Sequence, residues 1–312
     1  MEFFHKTTNF PFMATRKVWY GLSVLLMIIS FGSFFVRGLN LAIDFTGGVS
    51  IEATFPATAN INAIRSGLSQ AGFKEPSVQS FGSSRDIAIR LPPDPNQSGA
   101  EIRARVDKVL RGVDPGAQIQ QLAVVGPQVG DELRNSAIYA LSFTLFGVFL
   151  YIAFRFHTWR LSLGAILAVM HDPILVLGIF SITQTSFDLA VVAAILAVVG
   201  YSLNDTIIVF DRIRERFEAN RRLAPAQALD QSINQTLSRT IMTKLVTLIV
   251  VVALLFLGGP VLRGFSEALL IGILAGTYSS IYISASVALD CGLKAEHVFP
   301  VIDPKKALDS LP

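Results

Sequence analysis

The sequence predicts an α-helical membrane protein with six spans and one folded α+β domain outside the bilayer. Three observations predict it. Apolar residues make up 52% of the 312, charged residues only 16%, and the mean hydropathy is +0.53. A water-soluble domain carries about 25% charge. Six windows, about 18–36, 136–154, 161–182, 187–210, 241–262 and 265–289, reach the roughly 20 apolar residues of a bilayer crossing. The long stretch between the first two windows alternates strand and helix patterns, as a small folded domain does. The composition also excludes some classes. Net charge is only +3, and no Lys/Arg run is interleaved with aromatics, so no nucleic-acid partner is expected. The single cysteine, Cys291, excludes an internal disulfide and a cysteine metal cluster. Neither G-x-x-x-x-G-K-[ST] nor H-E-x-x-H occurs, so the expectation is a non-enzyme with no metal and no organic cofactor.

The chain opens on a tail, 1–17, and a first span at 18–36 whose apolar stretch is too long for a signal peptide; a retained anchor is expected. Orientation follows the basic residues beside the spans. Lys6, Arg16 and Lys17 precede span one, and Arg155 and Arg160 join spans two and three. Six arginines, Arg212 to Arg239, join spans four and five, and Lys294, Lys305 and Lys306 follow span six. On the opposite side "TQTSFD" has no basic residue and "GGPVLRG" has only Arg263. Both termini, the loop at about 211–240 and the tail 290–312 are therefore expected in the cytoplasm, and 37–133 outside.

Within 37–133, "GVSIEATF" (48–55) alternates as a half-buried strand, and "NAIRSGLSQAG" (62–72) has helical spacing with a terminal glycine. "SVQSFG" and "DIAIRL" form a predicted hairpin around Gly82-Ser83-Ser84. "GAEIRARVDKVLRG" is a second helix and "AQIQQLAVV" a last strand. The order β-α-β-β-α-β predicts a ferredoxin-like sandwich. Two joints flank it: "LNLAIDFTGG", with Asp44, Phe45, Thr46, Gly47 and Gly48, and "VVGPQVGDEL", with Gly126, Pro127 and Gly130. Glycines at such joints permit tight turns and close backbone approach.

Charge inside the spans is the sharper signal, because an intramembrane ionisable residue is costly and marks function. In "VVGYSLNDTIIVFDRIRERF" (198–217), Asp205 lies six residues before Asp211, about 9 Å inside the boundary. Span five returns antiparallel, which brings Arg239 and Lys244 to a similar depth. An Asp205–Arg239 pair, with Asn204 and Thr243 in place to hydrogen-bond it or a water between its members, is expected either to titrate or to hold two helices together; the further alternative is an Asp205 that snorkels to the interface. "HDP" places His171 and Asp172 near the middle of span three beside a kinking Pro173, either as a relay or as a polar pocket. Along span six, Ala268, Gly272, Gly276, Ser280, Ser284 and Ala288 lay down a stripe of small residues for close helix packing. "DRIRERFEANRR" (211–222) is expected to extend span four, and "PAQALDQSINQT" to lie at the interface.

Four of these segments in order, "IDFTGG", "VVGPQVG", "VVGYSLNDTIIVFDRIRE" and "GGPVLRGFSEALLIGILAGTYSSIY", resemble the signatures of the SecF family. These are the smaller subunits of the bacterial SecD–SecF accessory complex of the protein-export channel. The resemblance implies an inner-membrane protein partnered by SecD, the SecYEG channel and possibly YajC. It also implies action on a translocating unfolded polypeptide, and a likeness to resistance–nodulation–division transporters. By this resemblance the Asp of "LND" and an Arg opening the next span, Asp205 and Arg239, carry proton coupling. Protons are the implied coupling ion, with sodium not excluded. A small-molecule or lipid exporter of the same superfamily and a passive channel scaffold remain as alternatives.

Overall fold

The computed structural model describes residues 8–81, 83–94, 97–156 and 158–299. Lys6, Gly82, Lys305 and Lys306 lie outside the described residues. Contacts divide the chain into two units: Asn40–Leu141 with Ser186–Val192 form one, and most of the membrane helices form the other.

The smaller unit opens on β1 (Asn40–Leu41) and the single turn α2 (Ile43–Thr46). There follow β2 (Gly48–Thr54), α3 (Ile61–Gln70), β3 (Ser77–Phe81), β4 (Ser83–Leu91), α4 (Gly99–Val113) and β5 (Gln118–Val125). The sheet order is β3-β4-β2-β5, antiparallel throughout. Alternation explains the layering: Val49, Ile51 and Ala53 of β2 and Ile87, Ile89 and Leu91 of β4 point one way and are buried. They pack against Ile64 and Leu68 of α3 and Ile102, Val106 and Leu110 of α4. Each helix starts where the sequence provides a cap. Asn60 accepts from Ala63 N–H, and Ser98 with Glu101 forms a reciprocal capping box.

The larger unit contains α1 (Arg16–Arg37), α6 (Trp159–Thr183), α8 (Pro225–Leu257), α9 (Gly259–Tyr278), a π turn (Ser279–Ile283) and α10 (Ser284–Asp290). It also takes most of α7 (Leu189–Ala219) and the part of α5 (Pro127–Arg155) from Ser142 onward; β6 (Ser186–Phe187) precedes α7 and α11 (Ala295–Val298) follows α10. Among the described residues, six helices are long and apolar enough to cross a membrane, the last running from α9 through the π turn into α10. Burial is unequal. More than half of the most apolar window is buried in α6, α7 and the last span, against less than a fifth in α1, α5 and α8. The central helices are tightly packed: a Cβ on Gly164 of α6 would lie 2.3 Å from Ser284 O, and one on Gly178 would lie 2.3 Å from Ser30 Cβ.

Some elements differ from expectation. The segment expected as an interfacial helix, 225–236, is the first part of α8, because Pro225 sits at its start and no breaker follows until Gly258. The connection between α7 and α8 is thus only five residues, 220–224, with helix on both sides. Pro173 does not interrupt α6. The N-terminal segment is tied to α8: Phe10 N–H donates to Asn234 Oδ1 at 2.9 Å and Met13 N–H to Asp230 Oδ1 at 2.8 Å.

Candidate functional site

Three helices bring ionisable side chains into the apolar interior of the larger unit. From α6 comes Asp172, fully buried, with His171 beside it. Its Oδ1 lies 3.0 Å from His171 Nδ1. Its Oδ2 accepts from Ser202 Oγ of α7 at 2.5 Å and from Ser279 Oγ at 2.9 Å. Gly276 makes room for this arrangement, since a Cβ there would stand 3.2 Å from both Asp172 Oδ2 and Ser202 Cβ. The imidazole of His171 faces the Tyr278 ring, with centroids 5.8 Å apart. The Tyr278 hydroxyl donates to Trp19 O at 2.6 Å and lies 2.5 Å from Ser23 Oγ. His171 Nε2 is buried with no hydrogen-bond partner among the described residues.

One turn along α7 from Ser202 is Asp205. Its Oδ2 stands 2.6 Å from Lys244 Nζ of α8, and the two side chains are 3% and 4% exposed. The separation is that of a direct ion pair, and neither atom has a further hydrogen-bond partner among the described residues. The ammonium also lies 4.5 Å from the centre of the Tyr201 ring. The Tyr201 hydroxyl reaches Thr243 O at 3.2 Å and Thr247 Oγ1 at 2.5 Å.

The expected Asp205–Arg239 pair is not formed. Arg239 is exposed and makes no ion pair among the described residues, and its partner role falls to Lys244. The reason is helix rotation. Five residues of α-helix turn through 500°, so Arg239 and Lys244 point about 140° apart and only one can face α7. Thr236, Thr240 and Lys244 share the buried face, whereas Arg239 and Thr243 share an exposed one. The Thr243 hydroxyl bonds back to its own helix, through Arg239 O at 3.1 Å and Thr240 O at 3.0 Å. Asn204 is exposed and does not join the pair. Asp172 and His171 do sit in one polar cluster, together with Ser202 of α7 and Ser279. Sequence reasoning passed over Ser202 and Ser279. The three-residue spacing of Ser202 and Asp205 was the available signal.

The small-residue stripe is buried, as Gly272, Gly276, Ser280 and Ser284 all show. A Cβ on Gly272 would come within 2.2 Å of Val198 Cγ2 on α7. A spacing of four drifts about 40° per step around a 3.6-residue helix. The π turn takes up the excess and aims Ser279 at Asp172. Such turns frequently mark functional sites.

In the smaller unit the two glycine joints meet. Gly47 adopts φ 68°, and a Cβ on Gly130 would stand 2.9 Å from Gly47 N. Gly48, at φ 117°, leaves no space for a Cβ, which would fall 2.4 Å from Leu91 O. Pro127 opens α5, while Gly126 is in open space. Phe45 is buried against Phe187, and Thr46 Oγ1 bonds Ala42 O and Gly47 O. Asp44 accepts from Leu189 N–H at 3.1 Å and Asp188 from Val191 N–H at 2.8 Å, so two carboxylates cap the start of α7. Burial pushes the Asp188 carboxyl above its ordinary range; the Val191 N–H opposes this and the Asp44 charge adds to it. Arg90 joins β1 and β6, donating to Asn40 Oδ1 at 2.6 Å, Leu41 O at 3.2 Å and Ser186 Oγ. Burial lowers its pKa from the usual guanidinium value.

Comparison with known proteins agrees with this architecture. Residues 105–294 match the family model "Protein export membrane protein SecD/SecF, C-terminal", and residues 32–55 match the "SecD/SecF GG Motif". The chain is similar to the protein translocase subunit SecF of Haemophilus influenzae, at 48% identity over 96% of this chain and 91% of that one. It is likewise similar to SecF of Pseudomonas aeruginosa, at 44% identity over 95% of each. Among solved structures it resembles SecDF of Thermus thermophilus, described as a translocon-associated membrane protein, with TM-score 0.82 and 38% identity over 91% of this chain. It spans only 39% of that longer chain. A SecDF structure in a super-membrane-facing form gives TM-score 0.68. The chain therefore belongs to the SecD/SecF family of protein-export membrane proteins, as a multi-pass membrane component of protein translocation.

Proposed function

We propose that this chain acts with a SecD-type subunit to couple the proton motive force to late steps of polypeptide translocation through the SecYEG channel. The observation that carries the reading is the buried set of ionisable groups on α6, α7 and α8: Asp172 with His171, and Asp205 with Lys244. Such groups are costly in a membrane and mark ion pathways. The proton is the coupling ion and no other cofactor takes part. Asp205 takes up a proton from the outer side, its ion pair opens, and α7 shifts against α8. One charge moved through 100 mV is worth about 2.3 kcal/mol, enough to bias a two-state packing change.

In this reading both termini are cytoplasmic, the unit containing β2–β5 is periplasmic, and the membrane is the bacterial inner membrane. The SecDF of Thermus thermophilus, a chain of which this one spans 39%, supports a partner that completes the membrane core. YajC is a further candidate partner. Inverted membrane vesicles with a pre-protein trapped part-way test the proposal. Asp205→Asn, at normal subunit levels, is expected to abolish the gradient-dependent part of export while leaving the rest. A full response to the gradient in that variant would overturn the reading. Replacing the proton gradient by a sodium gradient in the wild type identifies the ion.

A further inference from the structure

We propose that Lys244 is the counter-ion of Asp205, the buried ammonium that sets how firmly this carboxylate holds a proton. The inference rests on the proton-coupling reading above and adds a residue outside the Asp205–Arg239 pair that the resemblance implies.

Three features of the site single out Lys244. First, its ammonium and the Asp205 carboxylate are both almost wholly buried and stand 2.6 Å apart. Lysine is almost never fully buried unless paired. Second, the pair has no support beyond its own contact. Asp172 is surrounded by an imidazole and two hydroxyls, whereas Lys244 Nζ and Asp205 Oδ2 find no further hydrogen-bond partner among the described residues. An ammonium has three donors, and a buried ion pair built only to fasten helices needs its remaining protons and lone pairs satisfied. The Asp205–Lys244 pair lacks that support, so only their mutual contact holds it closed.

Third, the ammonium has a second seat. The Tyr201 ring lies 4.5 Å from Nζ, and its hydroxyl is fixed by Thr243 O and Thr247 Oγ1. A ring face attracts a desolvated cation without needing a negative charge. The step then balances simply. A proton forms an O–H bond on Asp205, no covalent bond breaks, the ion pair is lost, and the pocket changes from neutral to positive. Lys244 stays on the Tyr201 face until the proton leaves toward the cytoplasm and the pair closes again.

The charged and titratable groups around Lys244 are few. Asp205 and Tyr201 face it from α7. Asp172, held by His171 with Tyr278 beside the imidazole, acts from α6. Arg239 acts from α8 itself. The α9 stretch Gly272–Gly276 carries no titratable side chain. An opposite charge within a few ångströms moves a carboxylate by about 1–3 pH units, so Lys244 dominates this set.

The experiment is an infrared titration of the full chain in lipid membranes, reading the protonated-carboxyl C=O band that disappears in Asp205→Asn. Lys244→Met is expected to move the midpoint of that band upward by about one pH unit or more. Lys244→Arg is expected to restore the wild-type midpoint. If Lys244→Met does not fold, Lys244→Gln, which keeps a donor at that position, serves in its place. An unmoved midpoint in either folded variant overturns the proposal. The vesicle assay with Asp205→Asn fails or succeeds independently of this result, so the counter-ion and the coupling reading are separately decided.

Discussion

A carboxylate in an apolar helix bundle needs a partner for each oxygen, and the two intramembrane aspartates meet that need differently. Asp172 is satisfied by hydrogen bonds, Asp205 by an opposite charge. This difference leads to different outcomes on substitution. Asp172→Leu strands the Ser202 hydroxyl and His171 Nδ1 and leaves the Ser279 hydroxyl only its long bond to Gly276 O at 3.4 Å. Each orphaned group costs about 1–3 kcal/mol, so thermal unfolding in detergent is expected to fall well below wild type. Asp172→Asn keeps an acceptor oxygen and should lose less. For Asp205, breaking the pair from one side costs about 3–5 kcal/mol, whereas replacing both partners by apolar residues is often neutral. The double variant Asp205→Leu/Lys244→Met is therefore expected to fold and assemble yet to lose gradient-driven export. A passive scaffold would keep full export in that variant, which makes it the sharpest test against that alternative.

At the scale of the element, the last span and α7 carry the geometry of the site. Gly272→Ala puts a methyl 2.2 Å from Val198 Cγ2 and is expected to destabilise by about 1–3 kcal/mol. Gly200→Ala, on the same α7 but with open space around it, should be neutral in the same melting assay. Deleting Ile281 from the π turn turns the preceding helix by about 100° relative to α10. Ser279 then leaves Asp172, and gradient-driven export is expected to fall even where the subunit accumulates normally. The start of α7 gives a pH prediction. Asp188 binds its proton more firmly in the folded chain than in the unfolded one. It therefore adds stability below its unfolded pKa, and this is lost as pH rises through the higher folded value. Asp188→Asn keeps the capping oxygen and removes that dependence. Its melting temperature should decline less than that of wild type between about pH 4 and neutrality.

At the scale of the whole molecule, the helices are unequally covered. α1, α5 and α8 are mostly unburied along their apolar windows, with Phe143 and Phe146 of α5 and Val246, Ile249 and Val250 of α8 exposed. Lipid covers such faces in any membrane protein. The SecD-type partner proposed above would cover part of them. Co-expression with a SecD-type partner is expected to lengthen the half-life of this chain severalfold in a pulse-chase experiment. An unchanged half-life would mean that the subunit is stable alone and that the homodimeric exporter alternative regains ground.

By itself the sequence determined the six spans, because about 20 consecutive apolar residues have few other stable uses. It determined the β-α-β-β-α-β order as well, since periods of two and of 3.6 are written directly in residue spacing. It also marked Asp172 and Asp205, because an ionisable group amid apolar residues is visible without coordinates. The pairing was decided only in three dimensions. Arg239 and Lys244 both lie at a depth where Asp205 can reach, and the choice depends on how α8 is rotated about its axis. That rotation is set by side chains packed along all of α8 from Pro225 onward, not by the five residues between the two cations. The same holds for Ser279, placed by an extra residue in a π turn, and for Gly47 and Gly130, which meet although 83 positions separate them. Local spacing encodes which face is apolar; the summed packing of distant helices decides which two polar atoms touch.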